Sequence, residues 1–263
     1  MLRPEQITAA GLFTAAGASL ILSAILRLLD RLYRREYLSW WAWSWMAMCL
    51  HFVLGSTSLL LRPNAQYHAV PLVAASLALA AGLCQAACLL LGVLEIAHSR
   101  RLHARQEKAL IWGLVGAGAG LSILALTTAN SPWSQDFILE SFRSLVMGGV
   151  FIISALALWR LTPWNHGIGR RLVCLAFLVY GLHQYQYFGV ALASLVRRSF
   201  VNYSIYIGFI DVILQFIVGL GIVIWFLEEE REGVVLASRQ IEHLAYHDSL
   251  TALPNRKLFL DRL

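Results

Sequence analysis

Long apolar runs alternate with short polar gaps along most of this chain. Seven runs reach the length of about 20 apolar residues that a helix needs to cross a hydrocarbon core of about 30 Å. They cover residues 9–29, 38–61, 70–96, 109–128, 137–161, 172–195 and 205–227. The pattern predicts an all-α membrane protein whose first domain, residues 1–227, is a bundle of seven transmembrane helices.

The composition points the same way. Hydrophobic residues make up 59% of the 263 residues and charged residues 14%, whereas soluble domains have about 45–50% apolar and about 25% charged residues. This excludes a water-soluble globule and a disordered chain. The net charge of +6 does not indicate nucleic-acid binding, because the basic residues lie mostly in the gaps between apolar runs, where they anchor and orient a protein in the lipid bilayer.

The distribution of lysine and arginine among the gaps predicts the orientation. Short cytoplasmic loops carry an excess of these residues. Eleven flank one side of the predicted bundle: Arg27, Arg31, Arg34, Arg35, Arg100, Arg101, Arg105, Lys108, Arg160, Arg170 and Arg171. Four flank the other: Arg3, Arg62, Arg197 and Arg198. The N-terminus is therefore expected outside the cell membrane, and the C-terminus, which follows seven crossings, is expected in the cytoplasm.

Several ionisable and amide side chains fall within the apolar runs at similar predicted depth. Such groups are costly in hydrocarbon, so each is a candidate functional residue. The set comprises His51, Glu140, Arg143, His183, Tyr187, Asp211 and Gln215. We expect it to line a ligand-binding pocket open to the outer leaflet or periplasm for an unidentified small molecule or lipid. Either Asp211 or Glu140 could pair with Arg143, and we predict that Arg143 and Asp211 lie within salt-bridge reach. Interhelical hydrogen bonds that only hold the bundle together are the alternative.

Two further patterns, one of tryptophans and one of glycines, are interpreted as structural and not as ligand-binding. Trp40, Trp41, Trp43 and Trp45 lie at the predicted cytoplasmic end of the second run, a depth at which tryptophan usually anchors a helix to the interface. Glycines cluster in the fourth run and recur in the fifth and seventh, where they allow close helix approach; they are Gly113, Gly116, Gly118, Gly120, Gly148, Gly149, Gly219 and Gly221.

A charged helix is predicted to follow the seventh run, over residues 228–246. Apolar residues recur there with the 3.5-residue spacing of a coiled coil. The stripe consists of Leu227, Val234, Ile241 and Leu244. It predicts a parallel homodimer joined through a cytoplasmic stalk that is continuous with the last membrane helix.

The residues after the stalk, 247–263, carry a recognisable motif. They read HDSLTALPNRKLFLDRL, which resembles the start of a GGDEF domain, the catalytic domain of diguanylate cyclases. The positions that fit are Asp248, Leu250, Thr251, Leu253, Pro254, Asn255 and Arg256, with Ala252 where that family usually has glycine.

The resemblance implies a sensor of the bacterial inner membrane that controls cyclic-di-GMP synthesis. It implies GTP and Mg²⁺ as ligands of the domain that begins here. The GG[D/E]EF signature and the metal-binding carboxylates of that family are not found up to Leu263, so we expect no catalytic residue, cofactor or metal site in this chain. A transporter or channel that uses the polar set as its pathway is the alternative function.

Overall fold

The computed structural model describes residues 4–61, 69–98, 104–128, 131–160, 167–199 and 207–246, together with Leu253. These residues form seven long helices and, within the described ranges, no strand. The helices are α1 (Pro4–Tyr33), α2 (Glu36–Leu61), α3 (Ala69–His98), α4 (Ala104–Thr128), α5 (Pro132–Arg160), α6 (Ile168–Arg197) and α7 (Ile207–Tyr246). Each one corresponds to an apolar run of the sequence, which confirms the all-α prediction.

Six of the helices are long and apolar enough to cross a membrane. They are α1 to α5 and α7, so the chain has the character of a multi-pass membrane protein. The sixth helix, α6, is absent from this group. Its apolar sequence is interrupted by Arg170 and Arg171 near its start and by His183, Gln184 and Gln186 further along. The predicted count of seven spans therefore depends on α6.

Six helices close into a ring, and one lies outside it. Helix α1 packs on α2, α2 on α3, α3 on α5, α5 on α6, α6 on α7, and α7 returns to α1. Helix α4 packs only against α3 and α5 among the principal helix contacts. Accordingly, 17% of the most apolar 18-residue stretch of α4 is buried, whereas 72% of the corresponding stretch of α3 is buried. The polar residues of α2, α5, α6 and α7 therefore face a common interior.

Aromatic side chains fill the part of the ring around the first half of α2. Trp41 and Trp45 lie one turn apart on α2 and are fully buried. Trp41 contacts Phe177 edge to face and lies 5.9 Å from Trp225, measured between ring centroids. The anchor interpretation was therefore wrong for these two tryptophans, whereas Trp43 on the opposite face is exposed, with Arg27 stacked 4.6 Å from its ring centroid.

Only some of the glycines make the close contacts expected of them. A Cβ on Gly118 would lie 2.7 Å from a Leu83 methyl group, so α3 and α4 meet there. Added Cβ atoms on Gly113, Gly116 and Gly120 would meet no atom of the described residues within 4 Å. The packing interpretation of the α4 glycines thus holds for Gly118 alone.

Candidate functional site

The buried polar cluster begins with an ion pair on α5. Glu140 and Arg143 are three residues apart, which places both on one face of the helix. Arg143 Nε donates to Glu140 Oε1 at 3.2 Å, and Nη2 approaches the same oxygen more closely. The Arg143 side chain is 7% exposed and that of Glu140 34%. Of the two partners predicted for Arg143, the structure thus brings Glu140 to it, and Glu140 is the more accessible member of the pair.

Arg143 extends across to α6. Its Nη1 lies 3.4 Å from Gln184 Oε1, and its guanidinium carbon lies 5.2 Å from the ring centroid of Tyr187. A guanidinium over an aromatic face is an attractive arrangement that strengthens as water is excluded. The cation of α5 is therefore held by an amide and a ring from α6 as well as by its own carboxylate.

Tyr187 connects this ion pair to α7. Its hydroxyl donates a short hydrogen bond to Asp211 Oδ2. One turn earlier on α6, His183 Nε2 lies 3.4 Å from the other carboxylate oxygen, Asp211 Oδ1. Both of these atoms are buried and have no aligned hydrogen-bond partner among the described residues. Asp211 is thus bound by α6. The predicted Arg143–Asp211 ion pair was wrong, because within the described residues Tyr187 lies between the two side chains, contacting Arg143 with its ring and Asp211 with its hydroxyl.

Two predicted members occupy the edges of the cluster. Gln215 lies one turn beyond Asp211, and its Oε1 is 3.1 Å from the Ser19 hydroxyl of α1. Its Nε2 is buried without a hydrogen-bond partner in the described part of the chain. His51 of α2 has Nδ1 at 2.8 Å from the Ala78 carbonyl oxygen of α3. Since a carbonyl only accepts, this geometry requires the proton on Nδ1.

The structure adds residues that the sequence reasoning missed. Gln85 of α3 is buried and its Nε2 donates to Met48 Sδ at 3.1 Å. The Tyr180 hydroxyl lies 3.9 Å from the same sulfur. Gln85 is an amide within an apolar run, so the criterion that selected Gln215 would also have selected it. Met48 and Ser19 carry no such signal, because methionine and serine are common in membrane helices.

These side chains enclose a small cavity. Its volume is about 10 Å³, and its wall includes Met48, His51, Gln85, Arg143, Tyr187 and Asp211. A cavity of about 10–15 Å³ is the minimum that holds one water molecule, whereas drug-sized ligands occupy about 300 Å³ or more. In this conformation the cluster is closed, and any larger ligand requires the surrounding helices to separate.

The remaining predicted residues lie at the other end of the chain. Leu227, Val234, Ile241 and Leu244 are all exposed on α7. The motif residues Asp248, Leu250, Thr251, Pro254, Asn255 and Arg256 lie outside the described residues, and Leu253 is exposed. The polar cluster and the stalk stripe thus lie near opposite ends of α7.

Comparison with known proteins adds no assignment to this geometry. No protein-family model and no curated protein matches the chain. Its functional interpretation therefore rests on the helices, the cluster and the stalk described above.

Proposed function

We propose that this chain is the input module of a membrane signalling protein. A signal reaching the bundle from the outer side of a bacterial cytoplasmic membrane is passed to a cytoplasmic GGDEF-type domain that controls cyclic-di-GMP synthesis. One observation carries the proposal. Helix α7 is continuous over 40 residues, with Asp211 of the polar cluster near its start and the exposed apolar stripe near its end. The GGDEF-like string follows it directly.

The proposal includes α6 as a seventh span. At about 1.5 Å per residue, its 30 residues extend about 45 Å, more than the hydrocarbon core requires. The polar residues that lower its hydropathy, His183 and Gln184, are buried in the bundle, whereas Leu175 and Leu182 on its outer face are exposed. An odd number of spans puts the N-terminus and the stalk on opposite sides of the membrane, and the distribution of basic residues favours the cytoplasm for the stalk.

The signal is expected to act through Glu140 and Arg143. Glu140 is the accessible carboxylate of the ion pair, so a polar or charged headgroup from the outer side meets it first. Displacing Glu140 frees the guanidinium that also contacts Gln184 and Tyr187. Because Tyr187 binds Asp211, a change at α5 is passed to α7 without direct contact between the signal and the stalk.

The stalk is proposed to join two copies of the chain in parallel. Apolar residues at seven-residue intervals are exposed along α7, and the series runs from the membrane segment into the stalk: Ile213, Leu220, Leu227, Val234 and Ile241. Exposed apolar residues in the charged stalk are costly in water. A second α7 would cover them with the knobs-into-holes packing of a coiled coil.

Cross-linking tests the dimer and its register. Cysteine introduced by Val234→Cys is expected to form an intermolecular disulfide efficiently in membranes, because Val234 lies on the stripe. Ser238→Cys, on an exposed position off the stripe, is the matched control and should cross-link at least fivefold more slowly. Equal rates at the two positions would contradict the proposed interface.

Signal output tests the proposed function itself. In the protein continued beyond Leu263 with its own downstream sequence, Tyr187→Phe removes only the hydroxyl that binds Asp211. We expect cyclic-di-GMP produced per molecule to change at least threefold, at an unchanged membrane level. Tyr185→Phe is the matched control, because Tyr185 lies on the same helix as Tyr187 and its ring packs near Gly148 of α5. It should leave output unchanged. Equal output from both variants and the native protein would refute the sensor role of the cluster.

A further inference from the structure

The first turn of α6 is capped by a residue from another helix. The first amides of a helix lack acceptors within the helix, and a side chain at the cap position usually supplies them. Gly167 precedes α6 and has no side chain that could do so. Instead, Glu228 of α7 accepts from two of these amides, Ile168 N–H at 2.8 Å and Gly169 N–H at 2.9 Å. Its negative charge also lies at the positive end of the α6 dipole.

Close approach of the two backbones makes this cap reachable. A Cβ on Gly169 would lie 2.1 Å from the backbone nitrogen of Trp225, a distance that no side chain tolerates. One helical turn from Trp225, a Cβ on Gly221 would lie 3.2 Å from the backbone nitrogen of Val173. Glycine at positions 169 and 221 thus lets the start of α6 and the middle of α7 meet in direct backbone contact. This contact places Glu228 over the first turn of α6.

The same two helices are also joined at their outer ends, by the Tyr187–Asp211 hydrogen bond. The attachment points lie 18 residues apart on α6 and 17 on α7, about 26 Å along each helix. Because α6 and α7 are bonded at two points with equal lengths of helix between them, they cannot slide past one another without breaking both the Glu228 hydrogen bonds and the Tyr187–Asp211 hydrogen bond.

The polar contacts between the stalk and the α1–α2 connection are accessible ion pairs, unlike the hydrogen-bonded cap on α6. Arg35, in the short connection between α1 and α2, lies 3.7 Å from Glu229 and 3.7 Å from Glu230. The Arg35 side chain is nearly half exposed, and exposed ion pairs of this length contribute little. At the base of the stalk α7 also packs on α1 and α2 through aromatic rings, Tyr33 against Phe226 and Tyr37 against Trp225. These contacts carry no directional polar bond, whereas α6 is joined to α7 there by backbone contact and by two hydrogen bonds.

We infer that Glu228 is a positioning residue that locks α6 and α7 into a single lever. A displacement at Tyr187 and Asp211 then reaches the stalk as a movement of the helix pair against α1–α2, not as bending of α7 alone. The transmission role rests on the proposed sensor function, whereas the lock between α6 and α7 does not.

Hydrogen exchange resolved to single amides tests the lock. Amides of a first helical turn normally exchange fast, so slow exchange at Ile168 and Gly169 is diagnostic of the Glu228 cap. In Glu228→Ala we expect their exchange to be at least tenfold faster than in the native chain, with an intermediate rate in Glu228→Gln. Glu229→Ala is the matched control and should leave it unchanged. Unchanged protection of the amide of the buried Phe177 shows that the variants fold, and equal exchange in Glu228→Ala and the native chain overturns the lock.

Distances between spin labels test the lever. After the four native cysteines are replaced by alanine, labels are attached at Ser238 on the stalk and at Leu32 near the end of α1, with excess unlabelled chain to suppress contacts between copies. Asp211→Asn should shift the distance distribution, and the added Glu228→Ala should abolish that shift. No shift with Asp211→Asn, or the same shift with and without Glu228, overturns the lever. Signal output in the Tyr187→Phe experiment is independent of both results, so failure of the lever and failure of the sensor role are distinguished.

Discussion

Replacing Glu140 with leucine is expected to lower the free energy of unfolding by about 3 kcal/mol, because the buried Arg143 loses its carboxylate. Among the described residues, the remaining contacts of the guanidinium are the Gln184 amide oxygen and the Tyr187 ring, both neutral. Neither balances a full charge in a site that is 7% exposed. Titration of the detergent-solubilised protein with a denaturing detergent measures the loss.

The opposite variant is expected to cost less. Arg143→Met leaves Glu140, whose side chain is a third exposed and can turn towards the outer surface. The double variant Glu140→Leu/Arg143→Met should be more stable than Glu140→Leu alone, because an orphaned buried charge is worse than none. Equal losses in the two single variants would show that Arg143 does not depend on this carboxylate.

A matched ion pair on α1 provides the control. Arg27 and Asp30 are also three residues apart, with Nη1 at 3.5 Å from Oδ2, but their side chains are 36% and 21% exposed. Asp30→Leu should change the free energy of unfolding by less than about 1 kcal/mol, as is usual for accessible pairs. If Asp30→Leu lowered the free energy of unfolding as much as Glu140→Leu does, the loss would come from breaking an ion pair along a helix and not from the burial of Arg143.

Substituting Gly148 by leucine is expected to disrupt the contact between α5 and α6, at a cost of about 3 kcal/mol or more. A Cβ on Gly148 would lie 3.0 Å from the Gly181 carbonyl oxygen and 2.9 Å from the Tyr185 ring. A Cβ on Gly181 would in turn lie 3.0 Å from the Gly148 carbonyl oxygen. Because backbone faces backbone, no rotation of a side chain makes room, and the helices must separate where Arg143 meets Gln184 and Tyr187.

The neighbouring glycine is the control for this prediction. In the described part of the chain, a Cβ on Gly149 would meet no atom within 4 Å. Gly149→Leu therefore adds the same apolar volume one residue along the same helix without a clash. The melting temperature of Gly148→Leu should fall by several degrees while that of Gly149→Leu stays close to native. Similar melting temperatures would mean that α5 and α6 do not pack through Gly148.

The segments of this fold are predictable from hydropathy alone. All seven helices lie over apolar runs because the length and apolarity of a membrane helix are local properties that need no partner. Depth is local as well, since it follows from position along a helix. That is why Glu140, Arg143, His183, Tyr187 and Asp211 were expected to lie near one another, and the structure does place them in one cluster.

The partners within the cluster could not be predicted in the same way. Depth does not specify the rotation of one helix against another, and for that reason the predicted pairing of Arg143 with Asp211 was wrong while the pairing with Glu140 is found. The tertiary structure resolves this by inserting Tyr187 of α6 between α5 and α7. The rotation of α2 also decides that Trp41 and Trp45 fill the core while Trp43 stays exposed, although the three lie within four residues of one another on this helix.

The link from Glu228 to the start of α6 is the clearest case of a feature that only packing creates. In sequence, Glu228 is one of three consecutive glutamates, and nothing local distinguishes it from Glu229 and Glu230. Its role depends on two amides 59 and 60 residues away and on the backbone contact at Gly169. The sequence by itself determined the helices and the depth of their polar groups, since both are local. The tertiary structure decided which groups meet, because contacts across a bundle depend on the rotation and spacing of helices that are distant in sequence.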